Sequence, residues 1–164
     1  MTHSQHQSNA RHSLLSTAVF VVAIVGISLL IGSVTRPGEW YESLAKPAFN
    51  PPPWVFGPVW TILYAMLAFA FWRILRLPAE SPGRMGAIGW FLAQITLNAL
   101  WSVVFFGLRS PELGIVVIAA LWVSIVGNMV AFMRLDRLAG WMFPPYLAWV
   151  SFAAALNIAI ALLN

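Results

Sequence analysis

Residues 113–133 read LGIVVIAALWVSIVGNMVAFM, twenty-one positions without a charged side chain. Glu112 precedes the run and Arg134 follows it. As an α-helix at about 1.5 Å per residue, such a stretch crosses about 30 Å of hydrocarbon. Lipid offers no partner for backbone N–H and C=O groups, so a span is a helix or part of a closed barrel. Barrel strands alternate apolar and polar residues. This run does not alternate, so it reads as a membrane helix.

Four similar charge-free runs lie around it, at 14–34, 54–72, 85–108 and 142–163. The composition agrees. The 164 residues are 60% hydrophobic and 9% charged, against about 25% charged in a soluble domain. So few charges could not cover a soluble fold of this size. The expected fold is all-α: a polytopic membrane protein built as a bundle of five transmembrane helices over residues 14–164, preceded by a polar tail at 1–13. The first run is too long for the apolar core of a cleavable signal peptide, so it reads as a retained span.

The linkers differ. Residues 109–112 and 134–137 are short and force antiparallel neighbours. Residues 35–53 form the longest linker and carry Pro37, Pro47, Pro51, Pro52 and Pro53, which no regular helix tolerates. The same linker holds Trp40, Tyr41, Leu44 and Phe49. A solvated connection has no use for these rings, so a folded lid over one end of the bundle is expected. Arg11, Arg73, Arg76, Arg84, Arg134 and Arg137 fall on one side, against Arg36, Lys46 and Arg109 on the other. In an inner membrane, that bias places the N-terminus in the cytoplasm and the long linker outside. The net charge of +4 therefore reads as a topology signal, with no nucleic-acid partner.

Absent residues narrow the chemistry. There is no cysteine, which excludes disulfides, thiolate metal sites and cysteine nucleophiles. No Asp, Glu, Lys, Arg or His lies inside any of the five runs. Proton-coupled transport usually needs such a group within the membrane. His3, His6 and His12 are confined to the tail, read as solvated rather than metal-binding, and no acid–base machinery is available to an enzyme.

Tryptophan is the anomaly, with nine in the chain. Trp54, Trp72, Trp90 and Trp141 sit near span ends, where interfacial tryptophans belong. Trp60, Trp101, Trp122 and Trp149 lie deeper. Trp60 and Tyr64 are one turn apart. Gln94, Asn98 and Trp101 share a helix face, as do Trp149, Ala153, Leu156 and Asn157. With alternating spans, all three groups fall between mid-membrane and the long-linker side. One reading is a cavity lined by indoles, suited to a large, flat, apolar ligand. The other is helix packing, with Asn98 and Asn157 making hydrogen bonds between helices.

Three blocks carry a resemblance. The first is Trp40-Tyr41, Lys46-Pro47 and Pro51-Pro52-Pro53-Trp54-Val55-Phe56-Gly57-Pro58-Val59-Trp60-Thr61, with Tyr64. The second is Gln94, Leu97-Asn98, Trp101 and Phe105-Phe106-Gly107. The third is Pro145-Tyr146-Leu147-Ala148-Trp149, Phe152-Ala153 and Leu156-Asn157. At these spacings the chain resembles the translocator protein family, also called tryptophan-rich sensory proteins (TspO/MBR) or the peripheral benzodiazepine receptor family. The resemblance implies a homodimer. It also implies a cavity that binds porphyrins, protoporphyrin or haem, as ligand, with no required cofactor. The implied pocket takes Trp40 and Phe49 from the lid, Trp54, Trp60 and Tyr64 from the second span, and Asn98 and Trp101 from the third. The fifth span would add Trp149, Ala153, Leu156 and Asn157. The implied function is a membrane receptor or carrier for porphyrin sensing, sequestration or transport. The alternatives are a porphyrin-degrading photo-oxidative enzyme, with Trp60 and Trp149 as its oxidisable residues, and a small multidrug transporter. The sterol motif of animal relatives is missing, since residues 156–164 contain neither Tyr nor Lys or Arg. Small-residue edges at Gly86, Gly89 and Ala93, and at Ala155 and Ala159, permit close helix approach, within one bundle or between two.

Overall fold

A computed structural model describes Gly26 and residues 38–164. The expected 14–34 span, the polar tail, its histidines and Arg36 lie outside the described residues. Within them every regular element is helical. In order these are α1 (Glu39–Ser43), α2 (Pro53–Leu75), α3 (Arg84–Ser102), α4 (Pro111–Leu135), α5 (Arg137–Gly140) and α6 (Phe143–Leu163). The last turn of α3 widens into a π-helical turn at Val103–Gly107. Among the described residues, four helices are long and apolar enough to cross a membrane.

Local chemistry sets the boundaries. Pro53 and Pro111 stand in the first turns of α2 and α4, where a missing N–H costs nothing. Ser110 caps α4 by accepting the Leu113 N–H. Gly83 precedes α3 with φ +85°, a backbone region natural to glycine. Asp136 caps α5 through the Ala139 N–H and also pairs with Arg73 at 2.7 Å. Burial alone would raise the Asp136 carboxyl. The Arg73 hydrogen bond and charge, with the N–H groups of Ala139 and Leu138, outweigh it, so the carboxyl sits below its ordinary range.

The helix α4 packs most extensively, against α3 and α6. Toward the Arg73–Asp136 end the core is a column of phenylalanines. Phe71 and Phe91 stack with centroids 4.0 Å apart and planes 3° from parallel, Phe91 stacks on Phe132, and Phe132 meets Phe143 edge-on. All four are buried. The outer faces stay apolar, with Ile62, Leu92, Val116, Val123 and Leu162 exposed. Such a surface suits lipid and not water.

Candidate ligand-binding cavity

At the opposite end α2, α3 and α6 enclose a cavity of about 50 Å³ under the lid. Trp60 and Phe56 reach it from α2, one turn apart. Trp101 reaches it from α3. The stripe Trp149, Ala153, Leu156, Asn157 and Ile160 forms the α6 wall, and Tyr41 roofs it. The extra residue in the π-turn brings both Phe105 and Phe106 to the wall. Single π-turns of this kind recur at functional sites.

The rings meet edge to face more often than they stack. Trp60 and Trp149 are 6.4 Å apart at 89°, and Phe56 meets Trp149 at 5.9 Å and 71°. Trp101 lies nearly flat on Phe105, at 5.4 Å and 27°. The Trp101 indole N–H donates to Asn157 Oδ1 at 3.0 Å, and Asn157 Nδ2 donates to the Pro111 carbonyl at 2.8 Å. This approach requires Gly114, because a Cβ there would lie 2.7 Å from Asn157 Oδ1. The Trp149 indole N–H has no such partner. It is buried and makes no hydrogen bond, a cost of about 1–3 kcal/mol for a lone buried donor.

One layer deeper, toward mid-membrane, lies a polar chain. Tyr64 Oη donates to Asn98 Oδ1 at 2.7 Å. Asn98 Nδ2 and Gln94 Nε2 both donate to Tyr146 Oη at 3.1 Å, and Asn128 Nδ2 donates to Gln94 Oε1 at 3.2 Å. This chain ties α2, α3, α4 and α6 together.

The lid is held at several points. Tyr41 Oη donates to Asn50 Oδ1 at 3.0 Å, and burial pushes its phenol pKa up. Lys46 Nζ donates to the Glu42 and Leu44 carbonyls and lies 4.9 Å from the Tyr41 ring centre. Asn164, last in the chain, bonds the Ala45 backbone twice. Its Oδ1 accepts from the Ala45 N–H at 2.9 Å and its Nδ2 donates to the Ala45 carbonyl at 3.1 Å.

Of the residues singled out from sequence, Trp60, Trp101, Trp149, Ala153, Leu156 and Asn157 line the cavity. Tyr64 and Asn98 do not: they belong to the polar chain, although Tyr64 stacks under Trp60 at 5.3 Å. Trp40 packs edge-on against Phe105 from the lid. Phe49 sits at the rim, 52% exposed, against Phe152. Trp54 does not reach the cavity. It stands in the first turn of α2, 75% exposed, because the proline run before it fixes where the helix begins. Asn98 and Asn157 make interhelical hydrogen bonds, and indoles line a cavity beside them.

Sequence reasoning left out Tyr41, Phe56, Phe105, Phe106 and Ile160. Phe56, Phe105 and Ile160 each lie four residues from a chosen residue (Trp60, Trp101 and Leu156), so helical spacing could have found them. Phe106 follows only from the π-turn.

Residues 18–163 match the sequence model of the TspO/MBR family. The chain is similar to the tryptophan-rich sensory protein of Cereibacter sphaeroides, 38% identical over 143 residues, covering 87% of this chain and 88% of that protein. It is similar to protein CrtK of Rhodobacter capsulatus, 37% identical over 152 residues, covering 93% and 94%. The human translocator protein is 30% identical over 138 residues, covering 82% of each chain.

Proposed function

The chain belongs to the TspO/MBR family, and from that premise we propose that it is a membrane receptor or carrier for porphyrins and similar flat lipophilic ligands, bound in the cavity under the lid. The observation that carries the reading is Trp149. Its buried indole N–H lacks an acceptor, and its ring borders a space faced by Trp60 and Trp101. A ligand with ring faces and an acceptor atom supplies what this wall lacks.

Size sets a condition. A site for a drug-sized ligand holds about 300–1,000 Å³, and this cavity holds about 50 Å³. The described arrangement is a closed one, and a porphyrin enters only when the lid and its rings move. Lys46 then becomes a cation for a propionate once released from its lid carbonyls, with Arg36 a second candidate.

The same reading takes 14–34 as the first of five spans, places the N-terminus in the cytoplasm, and makes the protein a homodimer. A Cβ at Gly86 or Gly89 would meet nothing within 4 Å, so that edge of α3 is open to a neighbour. Disulfide crosslinking of a Gly89→Cys variant tests it, and absence of a crosslinked dimer argues against this edge.

A second reading rests on the perpendicular Trp60–Trp149 contact. Two oxidisable indoles beside a light-absorbing ring permit photo-oxidation of the bound porphyrin by dioxygen. Bleaching at the same rate by free porphyrin in detergent dismisses it.

Titration with protoporphyrin, followed by tryptophan emission, tests the main reading. We expect saturable quenching, weakened at least about tenfold (about 1.4 kcal/mol) in Ala153→Phe, which fills the α6 wall. Quenching that is absent, or identical in the variant, overturns it.

A further inference from the structure

A second concave site lies on the outer faces of α4 and α6, at the other end of the bundle. It is a groove of about 460 Å³ between Trp122, Met129 and Met133 on one side and Leu147, Ala148 and Ser151 on the other. From Trp122 to Met133 it runs about 16 Å along α4 at about 1.5 Å per residue. Its floor asks for no hydrogen bond, in contrast to the aromatic cavity. The Trp122 N–H donates to Ser151 Oγ at 2.9 Å, and that hydroxyl donates to the Leu147 carbonyl at 2.8 Å. The floor therefore suits a hydrocarbon chain and does not select for a polar ligand.

Charge at the mouth names the head of the occupant. Trp141 borders the groove where α6 begins, at the depth where tryptophans meet headgroups. Arg137 lies one turn before it, since the Trp141 N–H bonds the Arg137 carbonyl. Arg134 stands in the last turn of α4, immediately after Met133. Both arginines are exposed. Every other described arginine at this end has a partner. Arg73 pairs with Asp136, Arg76 covers the Trp72 ring, and Arg84 donates to the Ile74 and Leu75 carbonyls. Among the described residues, Arg134 and Arg137 have none. Asp136, between them, is held by Arg73, and Glu80 lies in the loop joining α2 to α3.

We propose that this groove binds an anionic phospholipid, one acyl chain lying between α4 and α6 and the phosphate on Arg134 and Arg137. Unpaired cations at headgroup depth attract anionic lipid, and guanidinium groups hold phosphate oxygens in pairs. The site is separate from the aromatic cavity and does not depend on the porphyrin reading.

Native mass spectrometry of the full chain tests it, with dioleoylphosphatidylglycerol and dioleoylphosphatidylcholine as probes. The expected result is one retained phosphatidylglycerol per chain, preferred about tenfold over phosphatidylcholine. Arg134→Gln with Arg137→Gln abolishes the preference, and lysine at both positions keeps most of it. Ala148→Trp fills the groove and weakens both lipids, with thermal melting showing that the fold persists. Equal retention of the two lipids, or a preference that survives the glutamine pair, overturns the proposal. So does retention untouched by Ala148→Trp, the result expected if residues 14–34 fill the groove. Loss of a dimer in that variant, with lipid binding unchanged, assigns the groove to a second copy instead.

Discussion

Four phenylalanines close the Arg73–Asp136 end of the bundle, while three tryptophans stand around a gap at the end beneath the lid. At the first end Phe71 and Phe91 lie parallel, 4.0 Å apart, with no polar atom to satisfy. At the second, Trp60 and Trp149 meet at 89° and the Trp149 N–H is unpaired. Both ends are aromatic, so composition does not separate them. Ring orientation does not separate them either, since each end holds stacked and edge-on pairs; what does is the indole nitrogen. Beside the gap, the Trp149 indole N–H is left without a partner.

The largest expected effect breaks the packed end. Phe91→Ala removes the middle ring of the column. Lipid weakens the transfer part of the loss, but the void remains, so unfolding free energy falls by about 2 kcal/mol. Denaturation in mixed micelles measures it. Protoporphyrin affinity should stay within about twofold, because well-separated sites act independently. A comparable loss of affinity would show the two ends to be one unit.

Next comes the clasp at the packed end. Asp136→Ala removes both the Arg73 pair and the α5 cap, at a cost of about 1–2 kcal/mol. Asp136→Asn keeps a capping side chain and should lose only part of that. Because the Asp136 carboxyl is held below its ordinary 3.8, folding favours its ionised form. Its contribution is complete above that value and fades as the pH falls below it. The wild-type advantage over Asp136→Asn should shrink in acid, and an advantage that does not change there would contradict the assignment.

The smallest effect sharpens the boundary between the cavity and the polar chain beneath it. Tyr64→Phe keeps the ring under Trp60 and removes the donor to Asn98. An interhelical bond of this kind is worth about 0.6 kcal/mol, so stability should drop by about that much with little change in porphyrin affinity. A tenfold affinity loss would place Tyr64 in the cavity wall.

The four described spans were legible because bilayer thickness imposes a length and lipid forbids charges, as at 113–133. The α6 wall was legible for a similar reason: Trp149, Ala153, Leu156 and Asn157 follow the helical period, and the helix there is regular. Legibility failed where the backbone departs from that period. Phe106 reaches the cavity through a π-turn that widens the helix by one residue. Trp54 was placed in the pocket by its neighbours in the motif, but it stands exposed in the first turn of α2, where its span-end position had put it. Asn98 and Asn157 looked equivalent as polar residues at membrane depth. Only the partners tell them apart: Asn98 bonds Tyr64 and Tyr146, whereas Asn157 bonds Trp101 at the cavity edge. The Ala45–Asn164 contact joins positions 119 apart, and no local pattern announces it.

That contact allows the most direct test of the claim that the lid-side end must open to work. Ala45→Cys with Asn164→Cys places the only two thiols of the chain at the lid and at the end of α6. Oxidation should lock the lid and abolish saturable protoporphyrin quenching, and reduction should restore it. Equal quenching in the oxidised and reduced protein would contradict it.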